Sequence, residues 1–253
     1  MNDTADSAAQ ALSAQLVGLA GGYLRNTLSL DGITCAVCTT PTPAGTKVCN
    51  VCRGHTASGL QVADHVGILT YAIAGKQSGY LMRGYKAPQP IKEHFQVVQL
   101  LFSLGLYYHY DCIRRISGSP ITHWTTVPSL PAKARPHPLR AIASPMLDSV
   151  PEIQLTAAQH AADPRAFREG HFTPTEPLPK DAHVLVIEDT WVSGGHVQSA
   201  GYSLRKAGAA KVSILVIARW LREDYGDNAN FISKRLTNDF NPRICPWTRR
   251  DCP

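Results

Sequence analysis

No stretch of the sequence approaches the roughly 18 uninterrupted apolar residues of a membrane-spanning helix, so a spanning protein is not expected. The first residues, Met1-Asn2-Asp3-Thr4-Ala5-Asp6, are acidic and are not a basic segment leading into an apolar one. A secretory leader is therefore not expected, and the cytoplasm is the default location. There is no Gly-x-Ser-x-Gly elbow, which leaves a Ser/His/Asp hydrolase unsupported. Neither the Walker phosphate loop nor the dinucleotide pattern Gly-x-Gly-x-x-Gly occurs. Internal repeats and low-complexity tracts are also missing. Aromatic residues do not interleave with the basic ones, as a stacking platform for single-stranded nucleic acid would require.

What is present is 253 residues, 44% of them hydrophobic, with a net charge of +6. That length suits one large α/β unit with a small accessory module. A positive balance suits a phosphorylated ligand and nucleic acid alike, so it separates no classes by itself.

Apolar patterning supplies the organisation. The spacing predicts a helix over residues 7–26, with Leu12, Leu16 and Leu19 on one stripe, though Gly18, Gly21 and Gly22 weaken it. Strands are expected at 65–72, 121–127, 183–187 and 212–218. A long buried helix is expected from Pro90 to about Asp111, and a short one over 230–236. Residues 153–167 read as part helix. Alternating strands and helices imply a parallel sheet covered on both faces. The expected division is an N-terminal helix and cysteine module at 1–56, an α/β domain at 57–220, and a C-terminal helix with a basic, cysteine-containing tail at 221–253.

Four cysteines dominate the first part. Cys35-Ala-Val-Cys38 and Cys49-Asn-Val-Cys52 are two Cys-x-x-Cys knuckles ten residues apart, a spacing that brings four thiolates to one tetrahedral ion. All four positions are cysteine and none is left for water, so structural rather than catalytic zinc is expected. His55 is near enough in sequence to replace a ligand but reads as a surface residue. Cys112 reads as a core thiol. Cys245 and Cys252 remain open: packing thiols, a disulfide, or half of a second metal site.

The richest stretch begins at His183. Val184 to Ile187 form an aliphatic run typical of a strand buried on both faces. Glu188 and Asp189 follow at its carboxyl end, where open α/β sheets place ligands. Ser193-Gly194-Gly195 permits a tight turn with converging N–H groups, and Val197, Ala200 and Leu204 recur at helical spacing behind it. A phosphate in that loop would sit at the positive end of a helix. A second loop, 127–140, leaves the end of the preceding strand and carries Lys133, Arg135, His137 and Arg140 with no acid. Its prolines keep it extended.

Glu188-Asp189-Thr190-Trp191-Val192-Ser193-Gly194-Gly195-His196 resembles the phosphoribosyl pyrophosphate (PRPP) motif of type I phosphoribosyltransferases. The resemblance implies a Rossmann-like parallel sheet. It implies that Glu188 and Asp189 hold the ribose hydroxyls, and that Thr190 and residues 192–196 (Val192, Ser193, Gly194, Gly195, His196) surround the 5′-phosphate. Val192 and His196 stand where that family usually has hydroxyl residues. The resemblance also places pyrophosphate against Pro128, Ser129 and Leu130, with Lys133, Arg135, His137 and Arg140 neutralising it. Together with the four-cysteine module, read as a zinc ribbon, the chain is similar to ComF-type competence-associated proteins. Those proteins carry a Lys-Tyr pair near the position of Tyr85-Lys86, so Arg83, Tyr85 and Lys86 become further phosphate contacts. The implied activity is phosphoribosyl transfer from magnesium-bound PRPP to an unidentified nitrogenous acceptor, with release of pyrophosphate. A weak PRPP-binding regulator and a nucleic-acid-handling accessory are the alternatives, and a homo-oligomer is expected.

Overall fold

The computed structural model describes residues 3–133 and 137–253. Helix α1 (Asp3–Ala20) leads into the cysteine-bearing segment, which contains α2 (Asn50–Ala57). Then come β1 (His65–Ile73), α3 (Gln77–Gly84), α4 (Lys92–Ser117), β2 (His123–Thr126) and α5 (Pro138–Ala143). They are followed by β3 (Leu155–Ala157), β4 (Phe172–Pro174), β5 (His183–Trp191), α6 (Gly195–Lys206), β6 (Lys211–Leu221) and α7 (Asn228–Arg235).

Four strands form a sheet in the order β1-β6-β5-β2, every neighbouring pair parallel. The chain is thus mixed α/β with an N-terminal cluster of four cysteines. The central strands are aliphatic because each is buried on both faces. Leu185, Ile187, Leu215 and Ile217 point into a cluster with the apolar side of α4. Their neighbours Val184, Val186, Val212, Ile214 and Val216 point the other way, toward Val197, Ala200 and Leu204 of α6. Cys35, Cys38 and Cys52 belong to that second cluster, so the cysteine segment packs on the α6 side. Val184, Val186 and Ile187 are fully buried. Each such burial contributes about 1.5–3 kcal/mol, and slipping the register by one residue would reverse every side chain. The position of the acid pair after Ile187 is fixed by this pattern.

Helix α4 runs for 26 residues and ends at Gly118, in the left-handed conformation at φ 69°, whose N–H bonds the Arg114 carbonyl. Val98, Leu101 and Phe102 on its inner face are buried. Both edges of the sheet are covered. On β1, the Tyr71 N–H donates to the Arg25 carbonyl and the Ile68 N–H donates to the Pro246 carbonyl. On β2, the Trp124 N–H donates to Pro151 and its carbonyl accepts from Ile153.

Several expectations need correction. Residues 153–167 contain no helix. Ile153 and Ala157 are buried with Leu155 between them half-buried, a period of two, and β3 pairs antiparallel with β4. Helix α1 stops at Ala20 rather than near Asn26, because Gly21-Gly22 end it and residues 25–27 serve the edge of β1. Strand β5 continues through Trp191, since pairing with β6 extends to Trp191↔Arg219. Helix α3 was not foreseen: it is short and carries a glycine in its interior. His55 is half-buried rather than on the surface, with its ring 5.3 Å from that of Phe167.

Candidate functional site

The site forms where two parallel neighbours separate. Strand β2 ends at Thr126, opposite Ile187, and the Val127 N–H still reaches the Ile187 carbonyl at 3.2 Å. Pro128 then carries the chain away, so residues 188–191 of β5 lose their partner on that side. The crevice lies outside the carboxyl ends of the strands, where doubly wound sheets bind ligands. It is a cavity of about 600 Å³. Its lining brings together Glu188, Asp189, Thr190, Val192, Ser193, Gly194 and His196 with Pro128, Ser129, Leu130, Lys133 and His137, and with Arg83 and Lys86.

Asp189 is the electrostatic centre. Its Oδ2 accepts from the Tyr85 hydroxyl at 2.7 Å and from Lys86 Nζ at 2.6 Å, and His137 Nε2 lies 3.2 Å away. Burial alone would raise the carboxyl's pKa. Hydrogen bonding from His137 and the charge of Lys86 outweigh burial and hold it well below the usual carboxylate range. Burial, followed by the Asp189 charge, pushes the Tyr85 phenol well above its ordinary value. Glu188 is paired separately: Oε2 accepts from His196 Nδ1 at 2.9 Å, and Oε1 from the Asp189 N–H at 2.9 Å. Burial disfavours the His196 cation, yet the hydrogen bond to Glu188 and that carboxylate's charge raise its pKa overall.

The loop at the end of β5 is shaped for close approach to its backbone. Gly194 adopts φ 83°, and a Cβ there would lie 2.2 Å from the Trp191 ring. A Cβ on Gly195 would lie 2.2 Å from the Arg165 carbonyl. Neither place tolerates a side chain, so the backbone turns directly over Trp191 into α6, whose first N–H groups have no partner within the helix. Arg219 fixes the loop from beneath, its Nη1 donating to the carbonyls of Trp191 at 2.7 Å and Val192 at 2.5 Å. Ser193 Oγ donates to the Arg165 carbonyl at 3.0 Å. The Thr190 hydroxyl is buried and has no hydrogen-bond partner among the described residues, although Thr190 lines the cavity.

The basic loop after β2 is only partly gathered in. Lys133 and His137 line the cavity. Arg140 does not: it lies in α5 and makes a two-pronged ion pair with Glu152, at 2.7 and 2.8 Å. Arg135 falls outside the described residues. Tyr85 reaches the site through its hydroxyl while its ring is buried. Sequence reading missed Arg165, Trp220 and Arg222, which also line the cavity, and the clamp made by Arg219. Arg165 lies in the stretch taken for part helix. Arg219 and Trp220 lie just past the aliphatic run of β6, in a register that only strand pairing reveals.

Apart from this cavity, Cys35, Cys38, Cys49 and Cys52 place their sulfurs within 4.8 Å of one another, a group that could hold a metal ion. Cys38 and Cys49 Sγ are 3.8 Å apart. Tetrahedral metal–sulfur arms of about 2.3 Å give nearly that separation. Cys49 caps α2, and its sulfur accepts from the Cys52 N–H at 3.4 Å, as a thiolate ligand does. Among the described residues, no helix is long and apolar enough to cross a membrane.

Neither a protein-family model nor a curated sequence matches this chain. Among solved structures the chain is similar to a purine phosphoribosyltransferase from Pyrococcus horikoshii Ot3. The identity is 12% and the TM-score 0.27, over 49% of this chain and 91% of that one. A superposition that loose fixes neither ligand nor reaction.

Proposed function

We propose that the crevice at the end of β5 binds PRPP. The observation that carries this reading is one juxtaposition: Glu188 and Asp189 of β5, Gly194 at the turn that opens α6, and Lys133 with His137, all lining one cavity. The 5′-phosphate would lie on residues 192–196, at the positive end of a 12-residue helix. The orphaned Thr190 hydroxyl would donate to it. The ribose hydroxyls would meet Glu188 and Asp189. The pyrophosphate would lie along Pro128, Ser129 and Leu130 toward Lys133 and His137, with Arg83 and Lys86 adding charge. Arg140 is left outside this set by its pairing with Glu152.

Magnesium would arrive as part of the substrate, held by its phosphates and by water. Transfer to a nitrogenous acceptor would need positioning and charge stabilisation of the departing pyrophosphate, with no covalent intermediate on the protein. Lys86 and His137 converge on one carboxylate oxygen, Oδ2 of Asp189, which fixes their positions relative to each other. The cysteine cluster would hold a structural zinc, because four thiolates leave no open position.

A second reading, a PRPP-binding regulator with little turnover, is favoured by the Glu188–His196 pair. That bond occupies a carboxylate oxygen with the residue that stands where a phosphate-binding hydroxyl is usual. One experiment separates the possibilities: calorimetry with magnesium and PRPP, followed by pyrophosphate release across a panel of bases and amines. Binding in the micromolar to millimolar range with release supports the transferase, and binding without release supports the regulator. No binding removes both.

A further inference from the structure

A second group of ligand atoms lies outside the crevice. His109 and Cys112 are one turn apart on α4, while Cys245 and Cys252 come from the C-terminal segment. One ligand atom from each lies within 4.8 Å of all the others. His109 Nδ1 is 3.3 Å from Cys252 Sγ and 3.9 Å from Cys112 Sγ. A tetrahedral zinc with Zn–N near ~2.05 Å and Zn–S near ~2.3 Å sets N···S at about 3.6 Å, between those two values.

Two further observations point to a ligand. First, His109 Nε2 lies 2.9 Å from the Pro242 carbonyl, and a carbonyl can only accept. That contact requires a proton on Nε2, which leaves Nδ1, on the side of the three thiols, as the ring nitrogen available to a metal. A metal-binding histidine has its tautomer fixed by its other nitrogen in just this way. The ring is 2% exposed, so water does not explain the arrangement. Second, the tail folds back to present both of its sulfurs. The Cys245 N–H donates to the Arg250 carbonyl at 2.9 Å, and the Arg249 N–H donates to the Cys245 carbonyl at 2.7 Å. Arg249 holds a left-handed backbone at φ 59° to close this turn.

We propose that His109, Cys112, Cys245 and Cys252 form a second structural zinc site of Cys3His type, fastening the C-terminal segment to α4. A disulfide fits less well. It would consume two of three adjacent thiols and leave the third beside a buried imidazole lone pair with nothing to bind. The ligand set is closed, so the ion has no coordination position for chemistry. Its role is to hold the tail: Arg249 Nη2, carried by the same turn, donates to the carbonyls of Val37 at 3.0 Å and Val66 at 2.8 Å. The second site would thereby reach the first, since Val37 lies between Cys35 and Cys38.

The test uses the full chain, loaded with zinc and desalted, with metal analysis and cysteine alkylation mapped by mass spectrometry. The expected content is about two zinc ions per chain, one for each four-ligand group. Cys252 is exposed, yet it should resist alkylation until a chelator is added, together with Cys112 and Cys245. Cys245→Ser should lose zinc from this site alone, leaving Cys35, Cys38, Cys49 and Cys52 protected. Rapid alkylation of Cys112, Cys245 and Cys252 in the zinc-loaded chain would overturn the proposal, as would a disulfide among them. Should Cys245→Ser not fold, the protection pattern of the unaltered chain decides, and it reads this site separately from the N-terminal cluster.

Discussion

The hydroxyl of Tyr85 donates to Asp189 Oδ2 at 2.7 Å, joining the end of α3 to the end of β5. Lys86, the next residue, donates to the same oxygen at 2.6 Å. Consecutive residues thus bind one carboxylate, one by a neutral donor with a fully buried ring and one by a half-exposed cation. Tyr85→Phe removes the neutral donor and keeps the ring. It should lower stability by about 1.5–3 kcal/mol, the range for a hydrogen bond to a charged group, with an unchanged denaturant m-value. Urea unfolding measures this, and a loss within experimental error would mean that Lys86 and His137 suffice.

Asp189→Asn removes the charge at nearly constant volume. Lys86 and His137 then face a neutral amide, and under the proposed PRPP reading the ribose hydroxyls would lose a charged acceptor. PRPP affinity should fall at least tenfold, about 1.4 kcal/mol, in calorimetry with magnesium present. Affinity equal to that of the unaltered chain would remove Asp189 from the binding site.

Gly194→Ala tests the turn over Trp191. An added methyl meets both a positive φ and the indole ring, so the loop must shift. The expected cost is about 1–3 kcal/mol in stability together with a marked loss of PRPP binding. Ser193→Ala, by contrast, should leave stability nearly unchanged, because that hydroxyl sits on the exposed side of the loop.

The Glu188–His196 pair predicts a pH dependence with a definite sign. Because the pKa of His196 is raised in the folded chain, the stability it contributes is complete below its ordinary value near ~6.5. That contribution is lost as pH rises through the raised value. The difference in unfolding free energy between the native chain and His196→Gln should therefore shrink as pH increases from about 6 to about 9. A constant difference would show that the histidine is neutral throughout.

Arg140 and Lys133 should separate. Arg140→Ala breaks a partly exposed ion pair with Glu152 and should cost about 0.5–1 kcal/mol of stability, with little effect on PRPP binding. Lys133→Ala should weaken pyrophosphate and PRPP binding without a comparable loss of stability.

These residues show what the sequence could and could not convey. The aliphatic run Val184–Ile187 is a local signal for the buried strand, but Glu188 and Asp189, read as following that strand, lie within β5, which runs on to Trp191, where they line the crevice. The two Cys-x-x-Cys knuckles are local in the same sense, and their sulfurs do converge. Arg140 illustrates the limit, for nothing near it in the chain indicates that Glu152 holds it away from the cavity. Arg219 is farther still from legibility, since its role depends on pairing across β5 and β6. His109 had a usable trace in His-x-x-Cys on a helix, but its partners lie far along the chain. Cys112 alone reads as a buried thiol, which it also is.

The covered edge of β1 has a consequence for synthesis. Strand β1 is made early, whereas the carbonyl that receives the Ile68 N–H belongs to Pro246. While the chain is being translated, that edge presents open hydrogen-bonding groups beside aliphatic residues, the template along which nascent chains pair with one another. Yield in the cell should therefore depend on how quickly the tail reaches its place. Chains shortened before Pro246 should partition toward inclusion bodies even where every residue around the crevice is intact.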